Sequence, residues 1–155
     1  MGLKLLFICT GNTCRSPMAE GLAREMFGEA IEVSSAGMEA WEGEPASAHA
    51  LKVLLDQNLD LSKHRSRRIS SELLADADWI IPMTKAQEAG LRRFFPQFVH
   101  KTRCLGDWGD NNREIQDPWG GSLEAYRQTA QEINELLSML KAHLISNKKS
   151  ERCLH

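Results

Sequence analysis

Residues 3–17 read LKLLFICTGNTCRSP, and this stretch decides the fold. The apolar run at residues 3–8 predicts a β-strand that is buried on both faces, as the strands of parallel sheets are. Small and polar residues follow and predict a loop. Ser16 and Pro17 then predict a helix start, with a hydroxyl cap and a proline in the first turn. The chain is therefore predicted to open as strand, loop and helix, with Cys9 at the carboxyl end of the strand.

The same alternation continues along the chain and predicts an α/β fold. Strands are predicted at residues 31–35, 78–83 and 99–105, and helices at residues 17–27, 46–57, 85–95 and 123–144. We predict a single domain over residues 1–155, built on a doubly wound four-stranded parallel sheet flanked by helices. Its polar end, residues 147–155, is predicted to be a flexible tail.

Composition limits the classes of function. The chain has 155 residues, of which 42% are hydrophobic and 26% charged, with a formal net charge of −2. These values are typical of a globular domain and exclude disordered, collagen-like and coiled-coil chains. The near-neutral charge gives no field for nucleic acid or an anionic membrane, so we expect neither as a partner. We also expect the protein to be a monomer. A basic cluster is interpreted as a solvated face; it comprises Lys63, Arg65, Arg67 and Arg68.

The cysteines point to thiol chemistry. The chain has four, Cys9, Cys14, Cys104 and Cys153, which are too few and too scattered for a disulfide framework. They form no C-x-x-C pair, and the five histidines show no ligand spacing, so we predict no metal and no other cofactor. The apolar start is too short for a signal peptide or a membrane span, which predicts a cytoplasmic protein with free thiols.

Residues 9–16, CTGNTCRS, have the composition of an anion-binding loop. Backbone N–H groups of such a loop turn inward around a phosphate, and the following helix adds its positive end. Gly11 lets the backbone approach the anion, and Asn12 tolerates a left-handed conformation. Arg15 offers a bidentate fork to two phosphoryl oxygens. A phosphate cradle is therefore predicted between the strand and the helix.

The same field favours a thiolate at Cys9, which Ser16 can support with a hydrogen bond. A thiolate beside a phosphate predicts covalent catalysis through a phosphocysteine. Buried packing is the ordinary role of a free cysteine, but the position between a buried strand and a helix start favours the catalytic interpretation. Cys104 and Cys153 lack such a context and are predicted to be bystanders.

Phosphoryl transfer of this kind needs a general acid that later acts as a base. Asp117 lies in the long loop of residues 106–121, which follows the predicted fourth strand. Sites in parallel sheets form at the carboxyl ends of strands, so this loop is expected near Cys9. Asp107 and Asp110 are rivals in the same loop, and Asp117-Pro118 is also a common turn opener. Spacing alone does not choose among the three carboxylates.

Three motifs resemble the low-molecular-weight protein tyrosine phosphatase family. They are CTGNTCRSPMAE at residues 9–20, SAG at residues 35–37 and DPWGG at residues 117–121. The resemblance spans nearly the whole chain and implies a metal-free phosphatase with a doubly wound four-stranded parallel sheet. It assigns the nucleophile to Cys9, phosphate binding to Arg15 and the general acid to Asp117. The remaining implied substrate contacts are Thr10, Gly11, Asn12, Thr13, Cys14, Ser16, Trp41 and Trp119.

Two departures from that family favour phosphoarginine in proteins as the substrate. Tyrosine phosphatases of the family usually have an aliphatic residue where this chain has Thr13, and a second aromatic where it has Gly120. Threonine at the loop position resembles the bacterial protein-arginine phosphatase branch. A hydroxyl can orient a polar guanidinium, whereas a branched aliphatic group would crowd and desolvate it. The alternatives are a tyrosine phosphatase, in which Thr13 only closes the loop, and, ranked lower, an arsenate reductase or a non-catalytic phosphate-binding module.

Trp41 and Trp119 match aromatic positions that line the family's cleft, although ordinary packing remains an alternative for each. Cys14 suggests a redox role. Two thiols in one loop can form a reversible disulfide that protects Cys9 from irreversible oxidation. An arsenate reductase would need a further redox cysteine pair downstream, where only Cys104 and Cys153 remain.

Overall fold

The protein is described by a computed structural model that covers residues 2–109 and 112–153. A parallel sheet of three strands forms its centre, in the order β2-β1-β3. The strands are β1 (Leu3–Cys9), β2 (Ile31–Gly37) and β3 (Trp79–Pro82). Because all three run the same way, their carboxyl ends meet at one edge, and Cys9 lies at that edge beside Gly37.

Five helices surround the sheet in the described part of the chain. They are α1 (Arg15–Phe27), α2 (Ala48–Leu55), α3 (Ser71–Asp76), α4 (Lys85–Phe94) and α5 (Leu123–Cys153). Short 3-10 helices follow at Gly28–Ala30, Pro96–Lys101 and Leu105–Trp108. In residues 2–109 and 112–153, no helix is long and apolar enough to cross a membrane.

Side chains of β1 alternate between two apolar layers, as the period of a strand requires. Leu5, Phe7 and Cys9 face a core shared with α1, α2 and α5. Leu6 and Ile8 face a second core shared with α3 and α4. The prediction of a parallel α/β sheet with helices on both faces is therefore confirmed.

The predicted fourth strand, residues 99–105, was wrong. The described segment makes one bridge to the sheet, between Thr102 and Ile80, and the Arg103 N–H donates to the carbonyl of Ile80. A 3-10 helix, Pro96–Lys101, occupies the first three residues of the predicted strand. The next N–H, of Cys104, donates to the Glu88 carboxylate instead of a strand. The ladder therefore stops after one residue, and the sheet has three strands over residues 2–109 and 112–153.

Smaller differences concern helix boundaries. Ser16 does not cap α1, because the helix already begins at Arg15 and Cys14 occupies the cap position. Helix α3, capped by the Ser70 hydroxyl, was not predicted, since its six residues are too few to show a clear apolar period. The backbone of α5 continues to Cys153, past residue 147, where the sequence predicted the tail to begin. Flexibility of that tail stays a prediction.

Candidate active site

A cavity of about 220 Å³ opens at the carboxyl end of β1. It is lined by the loop between β1 and α1 and by the loop before α5. Its lining residues are Cys9, Thr10, Gly11, Thr13, Cys14, Arg15, Asp117 and Trp119. Segments more than 100 residues apart thus meet at one point, as the strand polarity predicted.

Cys9 is 2% exposed, and its sulfur has two hydrogen-bonding neighbours. Its Sγ lies 2.8 Å from the Ser16 hydroxyl oxygen and 3.3 Å from the backbone nitrogen of Asn12, which donates to it. The N-terminus of α1 begins beside it, at Arg15. Sulfur therefore has a hydroxyl and a backbone N–H within hydrogen-bond distance, close to the start of α1.

Asn12 holds the loop in shape. It is fully buried and has a left-handed backbone, with φ of 58°. Its Nδ2 donates to the hydroxyls of Ser16 at 2.9 Å and Ser35 at 3.0 Å, and its Oδ1 accepts from the backbone N–H of Arg67 at 3.0 Å. Its carbonyl accepts from Nε2 of His64 at 2.8 Å. The loop conformation is therefore fixed by partners from three separate parts of the chain.

His64 and Arg67 were not predicted to contact the loop. His64 lies between Asn12 and Glu20, whose carboxylate is 3.9 Å from the histidine Nδ1. Burial raises the pKa of Glu20, and the positive charges of Arg24, His64 and Arg67 act in the opposite direction. Arg67 also donates from Nε to the carbonyl of Ser35, so the basic cluster is not wholly a solvated face. Lys63, Arg65 and Arg68 are exposed, as that interpretation requires.

Arg15 connects the loop with the candidate acid. Its guanidinium is 6% exposed and donates from Nη1 to the carbonyl of Ile115 at 3.0 Å. Its Nη2 lies 3.6 Å from Oδ2 of Asp117, which is half exposed. The other carboxylate oxygen of Asp117 accepts the N–H of Trp119 at 3.1 Å. Cys9, Arg15 and Asp117 therefore lie around one cavity.

The rival carboxylates are elsewhere or outside the described residues. Asp107 lies in the 3-10 helix Leu105–Trp108, where it is ion-paired with Lys85, and it does not line the cavity. Asp110 falls outside the described residues. Position therefore favours Asp117 over Asp107.

Cys14 is buried and held by two hydroxyls. Its Sγ lies 3.3 Å from the Tyr126 hydroxyl and 3.5 Å from that of Ser47, the N-cap of α2. Burial, with the thiol of Cys14 as a further cause, raises the pKa of Tyr126 to about 12. Cys9 and Cys14 are both free thiols in this structure. Tyr126 and Ser47 were missed, because nothing local marks either as a neighbour of the loop.

The two tryptophans differ in position. Trp119 is 76% exposed and lines the cavity, whereas Trp41 is 82% exposed and lies outside the lining residues. The Trp41 carbonyl accepts a hydrogen bond from the Ser66 hydroxyl, which holds its backbone to the segment of His64 and Arg67. A wall role at the cavity therefore has a geometric basis for Trp119, and for Trp41 it stays a prediction.

Comparison with known proteins agrees with this geometry. Residues 4–150 match the family model described as low molecular weight phosphotyrosine protein phosphatase. A relative from Geobacillus stearothermophilus, named protein-arginine-phosphatase, is 37% identical over 145 residues, covering 93% of this chain and 97% of its own. One from Salmonella typhi, named low molecular weight protein-tyrosine-phosphatase Wzb, is 37% identical over 142 residues, covering 84% and 94%.

Solved structures give the same result. The YwlE arginine phosphatase from Geobacillus stearothermophilus superposes with a TM-score of 0.90 at 35% identity, covering 96% of both chains. A YwlE cysteine-to-serine mutant with a phosphorylated active-site serine superposes with a TM-score of 0.88 at 33% identity, covering 95% of this chain and 99% of its own. The family predicted from the motifs is confirmed: the chain belongs to the low molecular weight phosphotyrosine protein phosphatases.

Proposed function

We propose that this protein is a protein-arginine phosphatase that hydrolyses phosphoarginine in proteins through a phosphocysteine intermediate. The observation that carries the proposal is Thr13, which lines the cavity together with Cys9, Arg15 and Asp117. Relatives named protein-arginine-phosphatase match over almost the whole chain and support it. Phosphorylated proteins in the cytoplasm are the partners that this activity implies.

In the first step, the thiolate of Cys9 attacks phosphorus while the bond from phosphorus to the guanidinium nitrogen breaks. Arg15 and the loop N–H groups hold the phosphoryl oxygens, and their charge stabilises the transition state. Protonated Asp117 donates its proton to the departing nitrogen, so that arginine leaves as its ordinary guanidinium cation. The products are arginine and phosphocysteine.

In the second step, water attacks the phosphocysteine. The carboxylate of Asp117 takes a proton from that water, the phosphorus–sulfur bond breaks, and the Cys9 thiolate is regenerated with inorganic phosphate. The Ser16 hydroxyl, 2.8 Å from Sγ, stabilises the leaving sulfur. The acid of the first step is thus the base of the second, and no metal takes part.

The cavity suits a guanidinium for two further reasons. The carboxyl group of Asp117 is half exposed, and when protonated it can still accept a hydrogen bond from a guanidinium N–H at its carbonyl oxygen. Gly120 has a φ of 79°, a backbone conformation that disfavours a second aromatic residue after Trp119. The cavity therefore has no second aromatic ring next to Trp119, where a tyrosine phosphatase would use one to contact the phenyl ring of its substrate.

Tyrosine phosphatase activity is the second candidate. The Wzb relative is as similar in sequence as the arginine phosphatase, at 37% identity for each. Trp119, exposed at the cavity, offers a flat surface that a phenyl ring would also contact. The mechanism would be unchanged, with a phenolate oxygen in place of the guanidinium nitrogen.

The two substrates are separated by comparing kcat/KM for phosphoarginine and phosphotyrosine peptides of the same sequence, in the wild type and in Thr13→Ile. We expect the wild type to prefer phosphoarginine and the substitution to reduce that preference at least tenfold. Thr13→Ser is the matched control, because it keeps the hydroxyl and should keep the preference. A wild-type preference for phosphotyrosine, or a ratio that Thr13→Ile leaves unchanged, would show that the substrate assignment is wrong.

A further inference from the structure

Gln87 is a buried polar residue close to the cavity that the mechanism above does not use. It lies in the first turn of α4 and is 6% exposed. Its backbone N–H and the Thr84 hydroxyl form one half of a capping box, and its side chain and the Thr84 N–H form the other half. Such a box stabilises a helix start, which explains part of its geometry. It does not explain where the second end of the amide points.

That second end points at the phosphate loop. Nε2 of Gln87 donates to the hydroxyl oxygen of Thr10 at 3.2 Å, across 77 positions of sequence. The orientation of the amide is determined by its other end, since Oε1 accepts from the backbone N–H groups of Met83 at 2.9 Å and Thr84 at 3.1 Å. The reverse orientation would place NH₂ against two donors. Nε2 must therefore face Thr10.

This contact decides what the Thr10 hydroxyl can do. Because its oxygen already accepts from Gln87, its own proton remains available for another acceptor. Thr10 follows the nucleophile directly and lines the cavity in which Cys9 and Arg15 meet. Its backbone is fixed too, since its carbonyl accepts from the Glu39 N–H at 2.9 Å. Among residues 2–109 and 112–153 no acceptor for this proton is found, and a bound phosphoryl group would supply one.

We propose that Gln87 is a positioning residue that makes the Thr10 hydroxyl a hydrogen-bond donor to the phosphoryl group. The order is amide N–H to threonine oxygen, and threonine O–H to phosphoryl oxygen. Hydrogen bonds in such a chain polarise one another, so the amide strengthens the donor as well as orienting it. The inference rests on the proposed phosphatase site but not on which phosphorylated residue is the substrate.

The same residue connects the two sides of the cavity. Met83 makes two of the contacts involved. Its N–H donates to Gln87, and its carbonyl accepts from the Ile115 N–H at 3.0 Å. The carbonyl of Ile115 in turn accepts from Arg15. Gln87 therefore contacts the loop that carries Thr10 directly, and it is connected through Met83 to the loop that carries Asp117. Its loss is expected to weaken anion binding more than a lost helix cap would.

The test measures the Kd of inorganic phosphate by titration calorimetry, which needs no turnover. We expect Thr10→Val to weaken phosphate binding roughly tenfold, as for one lost hydrogen bond to a charged group, and Thr10→Ser to retain it. Gln87→Met removes the amide at nearly constant size and should weaken binding severalfold. In a double variant with Thr10→Val, Gln87→Met should change the phosphate Kd little further, since both substitutions act through the Thr10 hydroxyl.

Thr84→Ala is the matched control, because it removes the other half of the capping box and leaves the Thr10 contact in place. Both variants should lower Tm by similar amounts, but Thr84→Ala should bind phosphate like the wild type. The proposal is wrong if Gln87→Met and Thr84→Ala have equal phosphate Kd values, or if Thr10→Val binds phosphate normally. Absence of phosphoarginine turnover in a wild type that binds phosphate would instead contradict the proposed function.

Discussion

The guanidinium of Arg15 and the carboxylate of Asp117 form an ion pair at the cavity, with 3.6 Å between Nη2 and Oδ2. The arginine is nearly buried and the aspartate half exposed, so the two meet at the boundary between the loop and solvent. A phosphoryl group that binds Arg15 would share the arginine with the acid that must protonate its leaving group. Phosphate recognition and proton transfer are thus arranged around one guanidinium.

Replacement of Asp117 by asparagine is expected to lower kcat for a phosphoarginine peptide by about 10²- to 10⁴-fold, the usual contribution of a positioned general acid. The loss should be smaller for p-nitrophenyl phosphate, whose leaving group needs little protonation. Tm should change little, because half-exposed ion pairs contribute little to stability. Asp107→Asn removes an aspartate paired with Lys85 instead, and it should retain kcat. Equal losses in both variants would contradict the assignment of Asp117.

Ser16 and Ser35 provide a second matched pair. Both hydroxyls accept from Nδ2 of Asn12, and both serines are buried, but Ser16 alone of the two contacts the Cys9 sulfur. We expect Ser16→Ala to lower kcat/KM and the rate of Cys9 alkylation by iodoacetamide, each about tenfold, because the thiolate loses a donor. Ser35→Ala should lower stability similarly but slow alkylation less. The sulfur contact has no separate role if the two alkylation rates fall equally.

Peroxide is expected to inactivate the enzyme reversibly. Oxidation of Cys9 to a sulfenic acid, followed by attack of Cys14, releases water and leaves a disulfide that dithiothreitol reduces. Activity should return after dithiothreitol in the wild type and in Cys104→Ala, and should not return in Cys14→Ser. Mass spectrometry checks the products: Cys9 sulfonic acid without a Cys9–Cys14 link in the oxidised wild type would contradict the protective role.

Alkaline pH should destabilise the fold through Cys104. Burial raises the pKa of its thiol from 9.0 to about 11, with the neighbouring acidic groups Asp107 and Glu88 acting in the same direction. The unfolded state loses this proton first, so stability is fully present below about pH 9 and declines as pH rises towards 11. Urea unfolding between pH 8 and 11 should show that decline, and Cys104→Ala should have a shallower one. If stability declines equally with pH in the wild type and in Cys104→Ala, the assignment of the effect to Cys104 is wrong.

The loop and its nucleophile could be predicted because their signal is local. An apolar strand, a CTGNTCRS loop and a Ser-Pro helix start are adjacent in sequence, and their arrangement follows from backbone geometry alone. The predicted fourth strand was wrong because apolar periodicity does not show where N–H groups find partners: the Cys104 N–H found a carboxylate.

The residues that support the loop could not be predicted in the same way. Gln87, His64 and Tyr126 contact it from 52 to 112 positions away, and each occupies an ordinary position in its own segment. Amphipathic spacing identified Tyr126 as a core position, but it does not show that its hydroxyl meets Cys14. Contacts of this kind depend on how helices pack on the sheet, which a single sequence specifies only through the whole fold.

The left-handed backbone of Asn12 has a consequence for ligand binding. Its strain is compensated by hydrogen bonds within the protein, to Ser16, Ser35, Arg67 and His64. No ligand is needed to hold this conformation. The entropy of ordering the loop is therefore lost when the chain folds, and we expect an arriving anion to cause little further ordering. Association should accordingly follow a single bimolecular phase, without a slower rearrangement after the encounter.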